Sequence, residues 1–352
     1  MAVQVAVVGL GRMGQQHAIG YSKMDGVSLV AGVDVDASAR EQFESEFRAP
    51  AYESVEEVVD DLPIDAVSIV TPHTAHFEQA LTTLEAGVAT FVEKPLTVDP
   101  DKAEKLVEAA NEQECPLGVG YQRRYVSPVQ ETKRRLMSGD IGVPRMVSCH
   151  LAQNWLATSA ESWRTDPELS GGGLVFDTGS HMLEKLLWLL EGTPTQVAVT
   201  ADDRGESIDV NTALSMQIET GDQIVTVSAG VCGESTDLSS DEHLSIWGSR
   251  GRLQYESDRR AESVSSLRIV RDGRPTYETS FEGVSSDNPT MSKLRDFVEA
   301  TVSGTQPTIS GEVGVVLAEL RAAIRESWEE GTTVDVASRL DDREHVTNPF
   351  EE

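Results

Sequence analysis

Cysteine is scarce in this chain of 352 residues: Cys115, Cys149 and Cys232 are odd in number, lie far apart and form no CxxC. That spacing supplies neither a disulfide framework nor a thiolate metal cluster, and three small buried thiols in a reducing compartment are expected. Basic charge is short too. Lys and Arg together number 29 against 59 Asp and Glu, a formal net charge of -30, and only 7 of the basic residues are lysine. Such a surface repels phosphate backbones and anionic lipid heads, which excludes nucleic acid and membrane surfaces as partners. An acidic, lysine-poor chain that is still 39% hydrophobic stays hydrated and soluble where concentrated salt screens its self-repulsion, so a salt-loaded cytoplasm is expected. No apolar run approaches the ~20 residues of a membrane span. The first residues, M-A-V-Q-V-A-V-V-G, carry no basic run ahead of the apolar stretch and pass straight into a glycine turn, as a first strand does and a signal peptide does not. Internal repeats, heptad seams and low-complexity tracts are absent from the sequence.

Two styles of pattern are present. Up to about residue 120, short runs rich in Val, Ile and Ala (Val3–Val8, Val27–Val33, Ala66–Val70, Val88–Val92, Pro116–Val119) alternate with amphipathic stretches at Met13–Met24, Ala37–Phe47, Ser54–Asp60, His76–Glu85 and Pro100–Glu112. Strands apolar on both faces and joined by helices predict a doubly wound parallel sheet, a Rossmann domain over 1–121. Beyond it, helices over Val126–Met137 and Thr178–Leu190 accompany a first strand at Arg145–Leu151 and a succession of strands from Gln196 to Phe281. Val225, Val227 and Ala229 alternate there with Thr226 and Ser228, the period of a largely antiparallel sheet with one covered face. This predicts an α+β domain over 122–339 for substrate binding and oligomerisation. A C-terminal helix can return to pack on the first domain, and the acidic tail 340–352 is expected to be poorly ordered unless it docks.

The first glycine turn is Gly9-Leu10-Gly11-Arg12-Met13-Gly14, between a strand and a helix. Gly9 permits the turn, Gly11 lets the backbone approach a pyrophosphate, and Gly14 lets the helix lie close to the strand, while the unpaired amides of the helix N-terminus meet the phosphate charge. Asp34 ends the next strand 20 residues past Gly14, where a dinucleotide site places an acid on the adenosine ribose; it could equally cap the helix that follows. An acid there repels a 2′-phosphate, so NAD is the first choice, while Arg12 and Arg40 keep NADP open.

The strand Val88–Val92 runs into Glu93-Lys94-Pro95. The carboxyl ends of such strands form the ligand crevice, so Lys94 is expected near the nicotinamide, able to hold a substrate oxygen and exchange a proton. Proline gives the Lys94 peptide access to cis geometry. Further on, Trp163-Arg164 precedes Gly171-Gly-Gly and then Asp177-x-x-x-His181. Residues four apart share a helix face, so the acid and the imidazole can line one pocket, the imidazole taking a hydroxyl proton. The pair could also be half a metal site, but no further ligands accompany it at recognisable spacing, so no metal is expected.

In this order, with Thr71-Pro72-x-x-x-His76 before Glu93-Lys94-Pro95, the motifs resemble the Gfo/Idh/MocA oxidoreductases, relatives of glucose-fructose oxidoreductase and inositol dehydrogenase. The resemblance implies a catalytic trio of Lys94, Asp177 and His181, with Thr71, Pro72 and His76 bordering the cofactor and Glu93 close to the nicotinamide or its ribose. It places Arg124, Trp163 and Arg164 around the substrate. It also implies a sugar, cyclitol or related polyol substrate and a homodimer or homotetramer paired through the open face of the large sheet. One departure is Glu184, where many relatives carry aspartate. The alternatives are a non-catalytic NAD(P)-binding regulator of the same fold and an enzyme whose tightly held NAD cycles during hydrolysis or epimerisation.

Overall fold

The computed structural model describes residues 2–160, 162–235, 241–258, 264–281, 288–343 and 348–351. In chain order the first elements are β1 (Val3–Val8), α1 (Arg12–Ser22), β2 (Val27–Val33), α2 (Ala37–Phe47), β3 (Ala51–Tyr52), α3 (Val55–Asp61), β4 (Ala66–Ile69), α4 (His76–Glu85), β5 (Ala89–Val92), α5 (Pro100–Glu112) and β6 (Leu117–Val119). They are followed by α6 (Ser127–Met137), β7 (Pro144–Ala152), α7 (Trp155–Ser159), α8 (Pro167–Ser170), α9 (Thr178–Leu190), β8 (Thr193–Asp202), β9 (Asn211–Thr220), β10 (Gln223–Cys232), β11 (Asp241–Gly248), β12 (Gly251–Asp258), β13 (Val264–Arg271) and β14 (Arg274–Phe281). The chain closes with α10 (Pro289–Ser303), α11 (Gly311–Glu330), β15 (Val334–Asp335) and α12 (Ala337–Asp341).

Contacts divide the chain into two units, 1–122 with 289–318 and 123–288 with 319–352. The first holds a parallel sheet ordered β3-β2-β1-β4-β5-β6. β4, β5 and β6 are buried along their whole length and β1 nearly so, and α2 and α5 begin where a short polar side chain satisfies a first amide: Asp36 accepts from Ser38 N–H, and Asp99 from Asp101 N–H ahead of Pro100. By contacts α10 belongs to this unit, the place that a C-terminal helix returning to the first domain would take. Leu294, Phe297 and Val298 join Tyr21, Phe91 and Val5 in one core. At Gly20 an added Cβ would stand 2.9 Å from Met291 Sδ, so α1 and α10 pack without a side chain between them.

The second unit carries a sheet ordered β14-β13-β12-β11-β7-β10-β9-β8-β15, in which β7 and β10 are parallel and the other neighbours antiparallel. Thr212, Leu214, Met216 and Ile218 of β9 point inward, and Ala213, Ser215 and Gln217 outward. The apolar stripe of α9, including Leu183, Leu186, Leu187 and Trp188, is buried. Cys115 and Cys149 are buried, burial pushing the Cys149 thiol up to about 12, whereas Cys232 is exposed, contrary to expectation. It sits at the end of β10 with its side chain on the outward face, where the alternation of Val225, Val227 and Ala229 carries on past the predicted end of the strand. His150 and His243 also lie on that face, both exposed. For the tail, the docked alternative is the one observed. Phe350 is fully buried and Asn348 Nδ2 donates to the Glu191 carbonyl (3.0 Å), so this segment docks through an apolar anchor; residues 344–347 and 352 of the tail lie outside the described residues.

Candidate active site

In the first unit, Gly9 adopts φ +88°, and a Cβ there would stand 2.7 Å from the Val70 carbonyl oxygen. At Gly14 a Cβ would stand 1.8 Å from the Gly9 carbonyl oxygen, so α1 can lie this close only with glycine. Around Gly11 nothing stands within 4 Å of the added atom, which leaves the backbone open to a ligand. Gly11 also caps α1 without a side-chain bond, and the first turn contains no acid, so its amides remain available to an anion. Arg12 in that turn is exposed and Met13 half-buried. Gly14→Ala is expected to lower the melting temperature and weaken NADH binding at least tenfold, since overpacking of this kind costs about 1–3 kcal/mol. Titration of NADH fluorescence checks this, and an unchanged Kd would refute the close-packing argument.

Asp34 is fixed beside this turn. Leu10 N–H donates to its Oδ2 (2.7 Å) and Asp36 N–H to its Oδ1 (2.9 Å). The cap of α2 is Asp36, so the alternative role of Asp34 as the helix cap falls away. Arg40 donates to the Asp34 carbonyl (2.6 Å), placing its guanidinium at the same strand end. These residues fit a dinucleotide: an open glycine backbone, an uncapped helix start and an oriented acid.

At the end of β5, the Glu93 carboxylate accepts from Nε2–H of His17 (3.0 Å) and from the ammonium of Lys293 on α10, and the Lys94 N–H reaches its Oε2 (3.3 Å). His17 Nδ1 meets the Ser68 hydroxyl (2.8 Å), and Lys293 also donates to the Gly120 carbonyl (3.2 Å). Burial would raise the Glu93 carboxyl, but the Lys293 and His17 contacts outweigh it and hold it well below the usual carboxylate range. Burial lowers His17, which stays neutral with Nε2–H aimed at Glu93. The Glu93 carboxylate is thus engaged by protein partners, and the neighbouring Lys94 is half-buried and joined to Pro95 by a cis peptide.

His76 is fully buried. Its Nδ1 faces the Pro95 carbonyl (2.7 Å) and its Nε2 the Thr71 carbonyl (3.0 Å). Both acceptors would be satisfied only by an imidazolium, while burial lowers the pKa; desolvation is the larger effect, so the ring is neutral and donates to one of them. The ring stands between the carbonyls of the Thr71-Pro72 and Lys94-Pro95 turns. Thr71 Oγ1 donates to Gln79 Oε1 (2.6 Å).

In the second unit, Asp177 is 8% exposed and opens α9, with His181 one turn later. Trp155 Nε1–H donates to Asp177 Oδ2 (2.9 Å), and Arg164 Nε stands 3.4 Å from the same oxygen, its guanidinium 4.6 Å from the Trp163 ring. The structure therefore brings Asp177, Trp163 and Arg164 together and adds Trp155, which sequence reasoning missed because it sits in a short helix with no periodic signal. Arg124 is buried in the second unit. It is 4% exposed, its Nε donates to Glu184 Oε1 (2.5 Å), and Trp188 and Phe350 flank it at 5.5 and 5.6 Å. Glu184 is fully buried on this arginine, so the longer acid serves an internal ion pair. Among the described residues no group of three His, Cys, Asp or Glu could hold a metal ion, and no helix is long and apolar enough to cross a membrane.

Residues 3–121 match the oxidoreductase family with an NAD-binding Rossmann fold, and residues 129–254 match the GFO/IDH/MocA C-terminal domain. The chain belongs to the Gfo/Idh/MocA oxidoreductase family. It is 26% identical over 348 residues to inositol 2-dehydrogenase 3 of Saccharopolyspora erythraea, covering 96% of each chain. It is 28% identical over 290 residues, 81% of this chain and 78% of the relative, to D-xylose 1-dehydrogenase (NADP(+)) of Haloarcula marismortui. The solved structure of levoglucosan dehydrogenase in complex with NADH shares the fold, with a TM-score of 0.85 at 19% identity over 96% of this chain and 99% of the other. One relative is thus named for NADP(+), and one solved structure of the same fold holds NADH.

Proposed function

We propose that the protein is an NAD(P)-dependent dehydrogenase that oxidises, reversibly, a hydroxyl of a sugar, cyclitol or related polyol, with NAD the favoured cofactor. The observation that carries this reading is Asp34, whose two carboxylate oxygens are each held by an amide, one of them in the glycine turn. A carboxylate fixed there pairs with ribose hydroxyls and repels a 2′-phosphate; Arg40 is the residue through which NADP would be taken. The relatives named for inositol and D-xylose supply the substrate class.

When bound, the nicotinamide supplies an acceptor for hydride from the carbinol carbon. His181 takes the hydroxyl proton on an imidazole nitrogen, and the Lys94 amine holds the same oxygen as negative charge develops on it. Asp177, fixed by Trp155 and Arg164, orients the imidazole and the substrate. In the reverse direction His181 returns the proton to the carbonyl oxygen.

The second unit is proposed to pair two copies of the chain. Register sets Ala198, Ser215, Ser228, Ser148, Ser245 and Gln254 in one row across six strands, without a charge in a chain of net charge -30. Charge depletion at the centre of a face is what a self-association surface requires. A salt-loaded cytoplasm is proposed from the same charge balance.

The test is a screen of aldoses, cyclitols and sugar acids with NAD and NADP at several salt concentrations, following reduced-cofactor absorbance, with particle mass measured by light scattering in the same buffers. Turnover of a polyol or sugar, faster with NAD and in high salt, is expected from an oligomer. Failure of every hydroxylated substrate, with nicotinamide retained through purification, would overturn the dehydrogenase reading, and a monomeric mass would overturn the pairing.

A further inference from the structure

Asp209 lies in the second unit at the end of the polar stretch before β9, and it is 1% exposed. Its Oδ1 accepts from Gly173 N–H (2.8 Å), its Oδ2 from Val175 N–H (2.5 Å), and its backbone carbonyl from Leu174 N–H (2.9 Å). One residue thus binds three consecutive amides 34 to 36 positions away along the chain. The approach is close enough that a Cβ on Gly173 would stand 1.9 Å from the Asp209 carbonyl oxygen. The turn held in this way runs directly into the start of α9: Asp177 N–H donates to the Gly173 carbonyl (2.9 Å) and Gly179 N–H to the Leu174 carbonyl (2.9 Å). From the other side, Arg325 of α11 donates to the Gly171 carbonyl, and the Arg321 guanidinium lies 4.8 Å from the Phe176 ring.

We propose that Asp209 is a positioning residue for hydride transfer, its carboxylate fixing the Gly173–Val175 amides and thereby the direction in which Asp177 and His181 are presented. The inference rests on the roles proposed above for Asp177 and His181. Two amide donors aimed at two separate oxygens fit the ionised form, since a proton on either oxygen, or an amide nitrogen in its place, sets a donor against a donor. Burial opposes that form and pushes the carboxyl up to about 7, against the pull of the two amides and of Arg321, the charged group facing it from α11. The sign is informative. A carboxyl raised in the fold contributes stability that is complete below its unfolded value, about 4, and is lost as pH rises through about 7. Above neutrality the ionised Asp209 is held at a cost to stability, as expected of a charge kept for its effect on the site.

Asp209→Asn keeps the shape and removes one acceptor. Its kcat is expected to fall about tenfold to a hundredfold, the size of a displacement of roughly 1 Å at the reacting groups. The KM for NAD should not change, and the acid limb of the kcat profile contributed by Asp209 should vanish. Its melting temperature relative to wild type should rise between about pH 4 and pH 7, whereas the lost acid limb of kcat is the readout that a purely structural hydrogen bond would not move. If this variant does not fold, Asp209→Glu, which keeps the charge and moves it by one methylene, is expected to show the same split between kcat and KM. His181→Ala is measured alongside. Native kcat in a folded Asp209 variant, with His181→Ala inactive, overturns this inference alone; native kcat in His181→Ala overturns the reading of the site on which it rests.

Discussion

Replacing Lys94 by alanine is expected to lower kcat by about 10²–10³, the usual cost of removing a donor at a developing oxyanion. His181→Ala should lose a comparable factor, because the proton of the oxidised hydroxyl then has no positioned acceptor. Neither change touches the glycine turn or Asp34, so the Kd for NADH should stay within about twofold of wild type, which fluorescence titration measures directly. The turn carrying Lys94 is fixed independently of its amine. Its N–H reaches Glu93 Oε2, and the following carbonyl, that of Pro95, meets His76 Nδ1 at 2.7 Å. Truncating the side chain therefore removes the chemistry and leaves the turn in place. Turnover near the wild-type rate in Lys94→Ala would rule out its role at the substrate oxygen.

The largest stability effect is expected at Lys293→Met. Glu93, with its side chain 12% exposed, would lose the ammonium that offsets its burial, and stranding a buried charge costs about 3–5 kcal/mol. The double variant Lys293→Met with Glu93→Gln removes both charges and should recover most of that loss, since the attraction of a buried pair largely offsets its desolvation. pH provides a second reading. A carboxyl held below its usual range contributes stability that is present above its unfolded value and lost as pH falls through the folded one. The deficit of Glu93→Gln against wild type should therefore be full at pH 7 and shrink in strong acid. Thermal melting of the two single variants and the double variant decides the matter, and equal losses in Lys293→Met and the double variant would show that the pair is not coupled.

Much of the fold is legible in the sequence where one signal repeats. The helices at Ala37–Phe47, His76–Glu85 and Pro100–Glu112 have the predicted bounds, as does β2 at Val27–Val33. β3 and β15 are two residues each, too short to show a period. Strands of the large sheet run past their predicted ends, as β10 does from Ala229 to Cys232, because ladder hydrogen bonds continue through residues whose composition reads as loop. The candidate site divides in the same way. Gly9, Gly14, Asp34, Lys94 and the Asp177–His181 spacing are local motifs. The groups that hold them are distant in sequence: Ser68 and Lys293 around Glu93, Trp155 on Asp177, Asp209 on the glycine loop. No periodicity links residue 93 to residue 293, and a polar stretch such as the one ending at Asp209 gives no sign of which acid turns inward. For Arg124 the sequence shows a charge, and only packing shows that Glu184 has already matched it.

The distribution of primary amines follows from the same packing. Of the seven lysines, Lys133, Lys185 and Lys293 are enclosed by ion pairs and Lys94 and Lys102 are half covered, which leaves Lys23 and Lys105 exposed, both in the first unit. Acylating reagents and amine-reactive supports would therefore couple through the nucleotide-binding half and leave the large sheet untouched, so that immobilised preparations would share nearly one orientation.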